Sequence, residues 1–286
     1  MEPYTITPGD KLEWWLNSGL LRAPGGSEVG CSFSTPSDEG APYTVRCNAP
    51  ITEKKPLEAS KQWLRAQQAE IHFWETFRQS ALYAQVDMIE HWRGVLDRTG
   101  GDIPAGIVLD VGCGPCGVLN YFRSEATSPL GVDPLAEAYY RHGITESRPG
   151  FKPIAMAAVP AEKLPLASQS VDHAICYNVL DHVQDATAVL REIHRVLKPG
   201  GTLRTYIHSF VSWAKPLLSW DKPHTYHWTH EEFLALMLGA GFLVERTGKE
   251  PKDFHEPKGF MGKLKFLPYR VAPYVMSTTY AVHVKR

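Results

Sequence analysis

Carboxylate and glycine residues are concentrated in one short stretch, residues 107–117, with the sequence IVLDVGCGPCG. An apolar run ends in Asp110, and three glycines follow it: Gly112, Gly114 and Gly117. An unbroken apolar run ended by glycine is typical of a parallel strand covered on both faces. Glycines let a ligand lie directly against the backbone, and in open α/β sheets ligands bind at the carboxyl ends of the strands. The stretch therefore predicts a strand, a ligand-binding turn and then a helix opening at residues 118–122.

Two classes of cofactor fit this turn. The spacing G-x-G-x-x-G is also the dinucleotide fingerprint, and Asp133 stands about 20 residues further on, where an acid for the ribose hydroxyls is expected. However, Asp110 precedes the first glycine, and its negative charge would repel a pyrophosphate group. S-adenosylmethionine carries an ammonium and a sulfonium group instead. The carboxylate in the turn therefore favours S-adenosylmethionine over a nicotinamide dinucleotide.

Four segments in order carry a family resemblance, and together they cover about the middle half of the chain. They are VLDVGCGPCG, GVDP, AEKLPLASQSVDHAICYNVLDHV and REIHRVLKPGG. In this order and at these separations they resemble the class I S-adenosylmethionine-dependent methyltransferases, closest to the small-molecule branch called methyltransferase type 11. The resemblance implies an enzyme that transfers a methyl group to an oxygen, nitrogen or carbon atom of a small molecule.

The resemblance also assigns cofactor-binding roles. It places Asp110 and the backbone of Gly112, Cys113 and Gly114 at the methionine end, Gly117 at a close helix contact, Asp133 and Pro134 at the ribose, Ala161 and Glu162 at the adenine, and Asn178 near the reactive methyl group. One carboxylate can accept hydrogen bonds from both vicinal ribose hydroxyls, as proposed for Asp133. The family has an acidic residue directly before Ala161, whereas this chain has Pro160, so adenine recognition is expected to differ or to use the backbone.

Two histidines are the catalytic candidates. A general base is needed only when the accepting atom must lose a proton. His182 follows the fourth predicted strand and His208 ends the fifth, so both are expected at the carboxyl edge of the sheet. For His182 the alternative is a structural hydrogen bond to its own loop. Two other functions stay open: a transferase acting on tRNA or protein, and an S-adenosylmethionine-binding protein without catalysis.

A second distinctive segment, residues 211–230, is rich in aromatic and histidine residues. His224, His227 and His230 recur at every third position among Trp220, Tyr226 and Trp228. Three-residue steps do not align on a helix, so no metal site is predicted here. The segment is interpreted as an insertion that either walls the substrate pocket with rings or packs on the domain. The pair Cys113 and Cys116 has no second cysteine pair downstream, and a metal or redox role is not predicted for it.

Composition sets the outer limits. The chain has 286 residues, with 30 basic and 31 acidic residues, so net charge gives no support to nucleic-acid binding. No apolar run approaches the roughly 20 residues that cross a bilayer, and the N-terminus lacks a basic start followed by an apolar core. Five cysteines without a disulfide framework are typical of a reducing compartment. These features predict a soluble, cytoplasmic protein with no membrane partner, and they leave the oligomeric state open.

Three regions are expected along the chain. Residues 1–56, rich in Gly, Pro, Ser and Thr, are predicted to form an arm packed by a few aromatic residues or a lid. Residues 57–98 show apolar residues at helical steps and predict a helical cap of two amphipathic helices or one bent helix. Residues 99–286 alternate strand and helix and predict a doubly wound, mostly parallel, seven-stranded Rossmann-like sheet with an antiparallel last strand.

Overall fold

The computed structural model describes residues 4–22, 24, 31–34, 41–47, 60–80, 83, 86–144, 149–218, 224–251 and 272–286. Within these residues ten strands form a single sheet. The strands are β1 Tyr4–Thr7, β2 Cys31–Ser34, β3 Tyr43–Cys47, β4 Gly106–Val111, β5 Thr127–Val132, β6 Met156–Ala157, β7 Val171–Tyr177, β8 Leu197–Phe210, β9 Phe242–Pro251 and β10 Met276–Lys285.

The helices flank this sheet. They are α1 Leu12–Asn17, α2 Lys61–Arg78, α3 Met88–Arg98, α4 Ala136–Arg141, α5 Ala186–Val196, α6 His230–Gly239 and α7 Ala272–Val275. In the part of the chain that the structure describes, none of them combines the length and the apolar character that crossing a bilayer requires. Helices α2 and α3 lie within residues 57–98, where the sequence predicts a helical cap, and Leu64 of α2 is 47% exposed.

The sheet has the order β2-β3-β1-β6-β5-β4-β7-β8-β10-β9. Strands β4 to β8 pair in parallel, and β10 runs antiparallel between β8 and β9. The mostly parallel sheet with an antiparallel finish is therefore confirmed. The chain winds outward from β4 through β5 to β6 and then returns to the other side at β7. The crevice between β4 and β7 is thus the topological switch point, where α/β sheets bind ligands.

The central strands form because their apolar runs are buried on both faces. Val108, Leu109 and Val111 of β4, and Leu130 of β5, are fully buried.

Helix α6 begins with a capping box. The Thr229 hydroxyl accepts the backbone N–H of Glu232, whose carboxylate accepts the Thr229 N–H, which completes the capping box at the start of α6.

The sheet contains three more strands than the seven predicted, and all three come from the N-terminal region. Strand β1 pairs antiparallel with β6, with Ile6 opposite Ala157, and β3 and β2 continue outward. The Trp15 side chain is fully buried, and its Nε1–H donates to the Pro129 carbonyl of β5 at 2.7 Å. The described parts of this region therefore extend the sheet and pack on it through an aromatic residue.

Two predicted elements are shorter than expected. The helix predicted at residues 118–122 is a single 3₁₀ turn, Val118–Asn120. Asn120 binds the chain locally, because its Nδ2 donates to the Gly117 carbonyl at 3.3 Å and its Oδ1 accepts the Ile154 N–H at 3.2 Å. Such side-chain bonds compete with helix continuation. The apolar run PIAMAAV at residues 153–159 predicts a strand of seven residues, whereas β6 has two.

The cysteines differ from the expectation of a fully reduced set. Cys31 is disulfide-bonded, and the strand register places it opposite Cys47. Cys113, Cys116 and Cys176 are buried cysteines outside this disulfide.

Candidate active site

Asp110 lies in β4 at the switch point and is 3% exposed. The backbone N–H of Leu119 donates to its carboxylate, while Oδ2 is buried and has no hydrogen-bond partner among the residues that the structure describes. A Cβ atom at position 117 would stand 2.7 Å from this oxygen, so only glycine fits there. A buried acceptor without a donor costs free energy, and its presence here indicates a place for a donating or cationic group.

The charge state of the site depends on burial. Desolvation raises the pKa of Asp110 to about 8, and the nearby Asp133 adds to the effect. Desolvation also raises the pKa of Asp133 to about 6, against the lowering effect of the backbone N–H groups of Leu135 and Gly114. Burial of a carboxylate disfavours its charged form, and a neighbouring cation favours it. A cationic group beside Asp110 and Asp133 would therefore favour the ionised forms of both carboxylates.

Asp133 directly follows β5, and its carboxylate links the glycine turn after β4 to the turn after β5. Its Oδ2 accepts the Gly114 N–H at 3.0 Å, and its Oδ1 accepts the Leu135 N–H at 2.8 Å. Each carboxylate oxygen has a second lone pair, so both can still accept a bond from a ligand hydroxyl. Pro134 lies between Asp133 and Leu135 and is half-buried.

The glycines in the turn have distinct roles. Gly112 has φ +66°, and a Cβ there would stand 2.4 Å from a methyl group of Val179. Gly114 has φ +57°, and a Cβ there would meet no atom within 4 Å. Gly112 thus allows close packing against the chain beyond β7, whereas Gly114 lines open space beside Asp133.

The cysteines of this turn serve packing. Both side chains are buried, and the Cys116 carbonyl accepts the Nε1–H of Trp92 at 3.0 Å. Burial raises the pKa of the Cys113 thiol well above its ordinary value, which keeps the thiol protonated and unreactive. Trp92 of α3 is accordingly a core residue that holds the turn in place.

The side chain of Glu162, predicted near the adenine, accepts hydrogen bonds from the protein backbone. Its Oε1 accepts the N–H groups of Gln184 at 2.9 Å and Asp185 at 3.3 Å. Ala161 beside it is 5% exposed. The Glu162 side chain therefore positions the loop after β7, and Ala161 and Glu162 offer mainly backbone to a ligand.

Asn178 directly follows β7 and has the backbone strain often found at functional sites. Its φ is +56°, and its N–H donates to the Tyr206 carbonyl at 2.8 Å. Its Oδ1 is buried without a partner. Strained left-handed conformations at non-glycine residues cost free energy and cluster at ligand sites. Asn178 therefore adds a second free acceptor at the same edge of the sheet as Asp110.

The two candidate histidines have different neighbours. His182 packs against His224, with ring centroids 4.4 Å apart, and the Nε2 atom of each is 3.9 Å from a carboxylate oxygen of Asp181. His208 is half-buried, and its Nδ1 lies 3.5 Å from the Thr278 hydroxyl. The sequence did not predict the pairing of His182 with His224.

The three regularly spaced histidines face different partners. The ring of His227 packs against Phe210 at 5.3 Å, and the Nδ1 of His230 lies 3.0 Å from the Thr279 hydroxyl. His227 also contacts His224, with ring centroids 6.2 Å apart. That these three histidines bind no metal together stays a prediction. Trp220 lies outside the described residues, while the rings of Tyr226 and Trp228 stack at 4.8 Å.

Sequence reasoning missed three polar residues. Asp181 is 2% exposed, and its Oδ1 has no hydrogen-bond partner. Gln67 of α2 has a buried, unpartnered Oε1, and Glu70 of the same helix adds to the raised pKa of Asp133. The signal for Asp181 was its position directly before His182. The helical pattern drew attention only to the apolar residues of α2.

Comparison with known proteins agrees with this geometry. Residues 109–205 match the family described as "Methyltransferase domain". The chain is 33% identical over 168 residues to a ubiquinone biosynthesis O-methyltransferase of Xanthomonas oryzae pv. oryzae, covering 54% of this chain and 59% of the relative. It is 29% identical over 126 residues to a tRNA U34 carboxymethyltransferase of Desulfotalea psychrophila, covering 41% of this chain and 39% of the relative.

A solved structure extends the similarity in fold. It is that of Haemonchus contortus phosphoethanolamine N-methyltransferase 2 in complex with S-adenosyl-L-methionine. The TM-score is 0.56 at 18% identity, covering 96% of this chain and 72% of that one. The chain spans between 39% and 66% of the length of the curated relatives it matches first. Residues 109–205 are thus similar to methyltransferase domains, and the fold of the chain is similar to that of a methyltransferase solved with S-adenosyl-L-methionine.

Proposed function

We propose that this protein transfers a methyl group from S-adenosylmethionine to a small-molecule acceptor. The observation that carries the proposal is the buried, unpartnered Oδ2 of Asp110, on a carboxyl group whose pKa burial raises to about 8. A cationic ligand beside this carboxyl group would favour its ionised form. S-adenosylmethionine supplies two such groups, an ammonium and a sulfonium.

We assign the cofactor roles as the family resemblance implies, and the positions of these residues in the fold support the assignment. Asp110 and the backbone of Gly112, Cys113 and Gly114 hold the methionine end, and Asp133 with Pro134 holds the ribose. Gly117 allows the close contact with the Asp110 carboxylate. Ala161 and Glu162 border the adenine through their backbone, and Asn178 lies near the transferred methyl group. Methyl transfer from a sulfonium disperses charge, so orientation and exclusion of water supply most of the rate.

On the acceptor side, His182 and His208 are the proposed proton acceptors for an acceptor that carries a proton. The small-molecule class is supported by the nearly balanced charge of the chain and by aromatic side chains at this edge. Tyr177 and the partly buried Tyr206 stack at 5.4 Å. Such rings suit an apolar or planar acceptor.

Thermal unfolding tests the cofactor assignment. S-adenosylmethionine at 100 times its Kd should stabilise the protein by about 2.7 kcal/mol, whereas NAD at the same concentration should not. Asp133→Ala should abolish the stabilisation, because it removes both the proposed ribose contact and the Gly114 anchor. Stabilisation by NAD alone, or an unchanged response in Asp133→Ala, contradicts the assignment.

A matched pair of glycine variants tests whether the open space at Gly114 is the cradle of the cofactor. Gly114 and Gly143 both have positive φ, +57° and +60°, and a Cβ at either meets no atom within 4 Å. Alanine at either position should lower the free energy of unfolding by about 1 kcal/mol. Only Gly114→Ala should weaken S-adenosylmethionine binding, by about 10-fold or more, as measured by isothermal titration calorimetry. Equal affinities in the two variants would place the cofactor elsewhere.

Transfer to tRNA is the second candidate, and the partial similarity to a tRNA U34 carboxymethyltransferase favours it. Two assays separate the candidates. Formation of S-adenosylhomocysteine with hydroxyl- or amine-bearing small molecules supports the first, and its formation only with bulk tRNA supports the second. Binding of S-adenosylmethionine without turnover on any acceptor class would instead indicate a non-catalytic binding protein.

A further inference from the structure

The loop after β7 and the segment before α6 bring a carboxylate and two imidazoles together. Among the described residues, Asp181, His182 and His224 form the one group whose ligand atoms are close enough to hold a metal ion, all within 4.8 Å of one another. The Nε2 atoms of His182 and His224 each lie 3.9 Å from a different oxygen of Asp181. These distances are too long for hydrogen bonds, so the three groups face one another without bonding directly.

The arrangement is fixed by the backbone. The Thr225 N–H donates to the Asp181 carbonyl at 2.7 Å, which ties the residue after His224 to the loop that carries the carboxylate. The Tyr226 hydroxyl donates to the Gln184 carbonyl at 3.0 Å, and Glu162 accepts the Gln184 N–H at 2.9 Å. Supported ligand positions of this kind are what a metal site needs from its surroundings.

The burial pattern also points to a cation. Asp181 is 2% exposed, and its Oδ1 has no hydrogen-bond partner. A buried carboxylate oxygen without a donor is costly, and a bound cation would satisfy it. The side chains of His182 and His224 are 30% and 31% exposed, so an ion can enter from solvent on their side.

We infer that Asp181, His182 and His224 bind a divalent first-row transition-metal ion, such as Zn²⁺, Mn²⁺ or Co²⁺. Two imidazoles and one carboxylate suit these ions, whereas Mg²⁺ and Ca²⁺ prefer sites made of oxygen atoms. Ligand atoms around an ion with bonds of about 2.1 Å lie roughly 3.0 to 3.4 Å apart. The ligand atoms therefore need to move together by less than about 2 Å, which rotation of two partly exposed rings provides.

Three protein ligands leave coordination positions open, as in catalytic metal sites. This consequence rests on the proposed methyl transfer: an ion there would bind an oxygen of the acceptor and lower the pKa of its hydroxyl. The Nε2 lone pair of His182 would be used by the ion, so His182 could not also accept a proton at that atom. Proton acceptance would then fall to His208.

Metal binding is measured without turnover. The tag-free protein is stripped with a chelator and titrated with Co²⁺, and the visible absorption of the bound ion is followed. We expect one Co²⁺ per chain, displaced by Zn²⁺ and not by Mg²⁺ at the same concentration. Asp181→Asn, His182→Ala and His224→Ala should each weaken binding by about 100-fold. His142→Ala is the control, because His142 is a half-exposed surface residue that contacts Glu75 instead.

The outcomes are distinct. Co²⁺ binding that all three variants retain, or that His142→Ala loses equally, overturns the site. The thermal midpoint of each variant identifies a folding defect, and the smaller substitution His182→Gln then replaces His182→Ala. Binding of S-adenosylmethionine to the stripped protein is measured in parallel. If the protein binds Co²⁺ but not S-adenosylmethionine, the result counts against the proposed function alone. If it binds S-adenosylmethionine but not Co²⁺, the result counts against the metal site alone.

Discussion

Asp110→Asn is expected to weaken S-adenosylmethionine binding by about 100-fold or more while making the free protein more stable. The amide keeps the shape of the side chain but cannot carry the negative charge that faces the proposed ammonium and sulfonium groups. Removing one partner of a desolvated charge pair typically costs several kcal/mol of binding free energy. Isothermal titration calorimetry with the cofactor measures this loss directly.

The gain in stability follows from the sign of the pKa shift. Burial raises the pKa of Asp110 from 3.8 to about 8, so between these values the folded protein binds a proton that the unfolded chain has released. The free energy of unfolding must then fall as pH rises from about 4 to 8, by up to about 1.4 kcal/mol per pH unit. Asp110→Asn removes this contribution, and its stability should depend less on pH over that range. Denaturant unfolding at several pH values measures both slopes.

The same shift predicts proton release when the cofactor binds. At pH 7 a group with a pKa of about 8 is about nine-tenths protonated, and a cationic ligand favours its ionised form. Binding at pH 7 should therefore release about 0.9 proton from Asp110. Calorimetry in buffers of different ionisation enthalpy measures this number, and Asp110→Asn should reduce it to near zero.

The exposed carboxylate Asp102 supplies the control. Its side chain is 82% exposed and pairs with Arg93 on the surface. Asp102→Asn should change neither the affinity for S-adenosylmethionine nor the proton count. If Asp110→Asn binds the cofactor as tightly as Asp102→Asn does, the electrostatic basis of the proposed function is wrong.

Local sequence signals were sufficient for the central sheet and for its ligand turn. Strands such as β4 and β5 are buried on both faces, and this burial leaves continuous apolar runs that can be recognised in the sequence. Position at the end of a parallel strand also identified Asp110 and Asp133, because the carboxyl edge of the sheet is defined by the order of strands and helices. The cofactor roles of these residues stay predictions.

Residues brought together by long-range contacts were not predictable in the same way. The Thr225 N–H donates to the Asp181 carbonyl, and this bond holds the neighbouring His224 close to Asp181. The periodicity of neither segment indicates that pairing. Likewise, β1 forms because it pairs with β3 and β6, and a strand of four residues has little signal of its own. Tertiary contacts decide the structure of such segments more than local propensity does.

Trp15→Ala should show how strongly the N-terminal segment is tied to the strand that leads to Asp133. Trp15 is fully buried, and its indole N–H donates to Pro129 of β5, the strand that ends directly before Asp133. Truncation of a buried tryptophan to alanine typically costs about 3 to 5 kcal/mol, through lost burial and the cavity it leaves. The thermal midpoint should fall by on the order of 10 °C.

Trp14 is the matched control for this experiment. The two rings contact each other at 5.0 Å, but Trp14 is 39% exposed. Trp14→Ala should therefore cost clearly less than Trp15→Ala, because Trp14 keeps 39% of its surface in water in the folded protein. Trp15→Phe should fall between the two, since it keeps most of the ring volume and loses the hydrogen bond to Pro129. Far-UV circular dichroism follows unfolding without relying on tryptophan fluorescence. Equal midpoints for Trp14→Ala and Trp15→Ala would show that the N-terminal segment adds strands to the sheet without stabilising it.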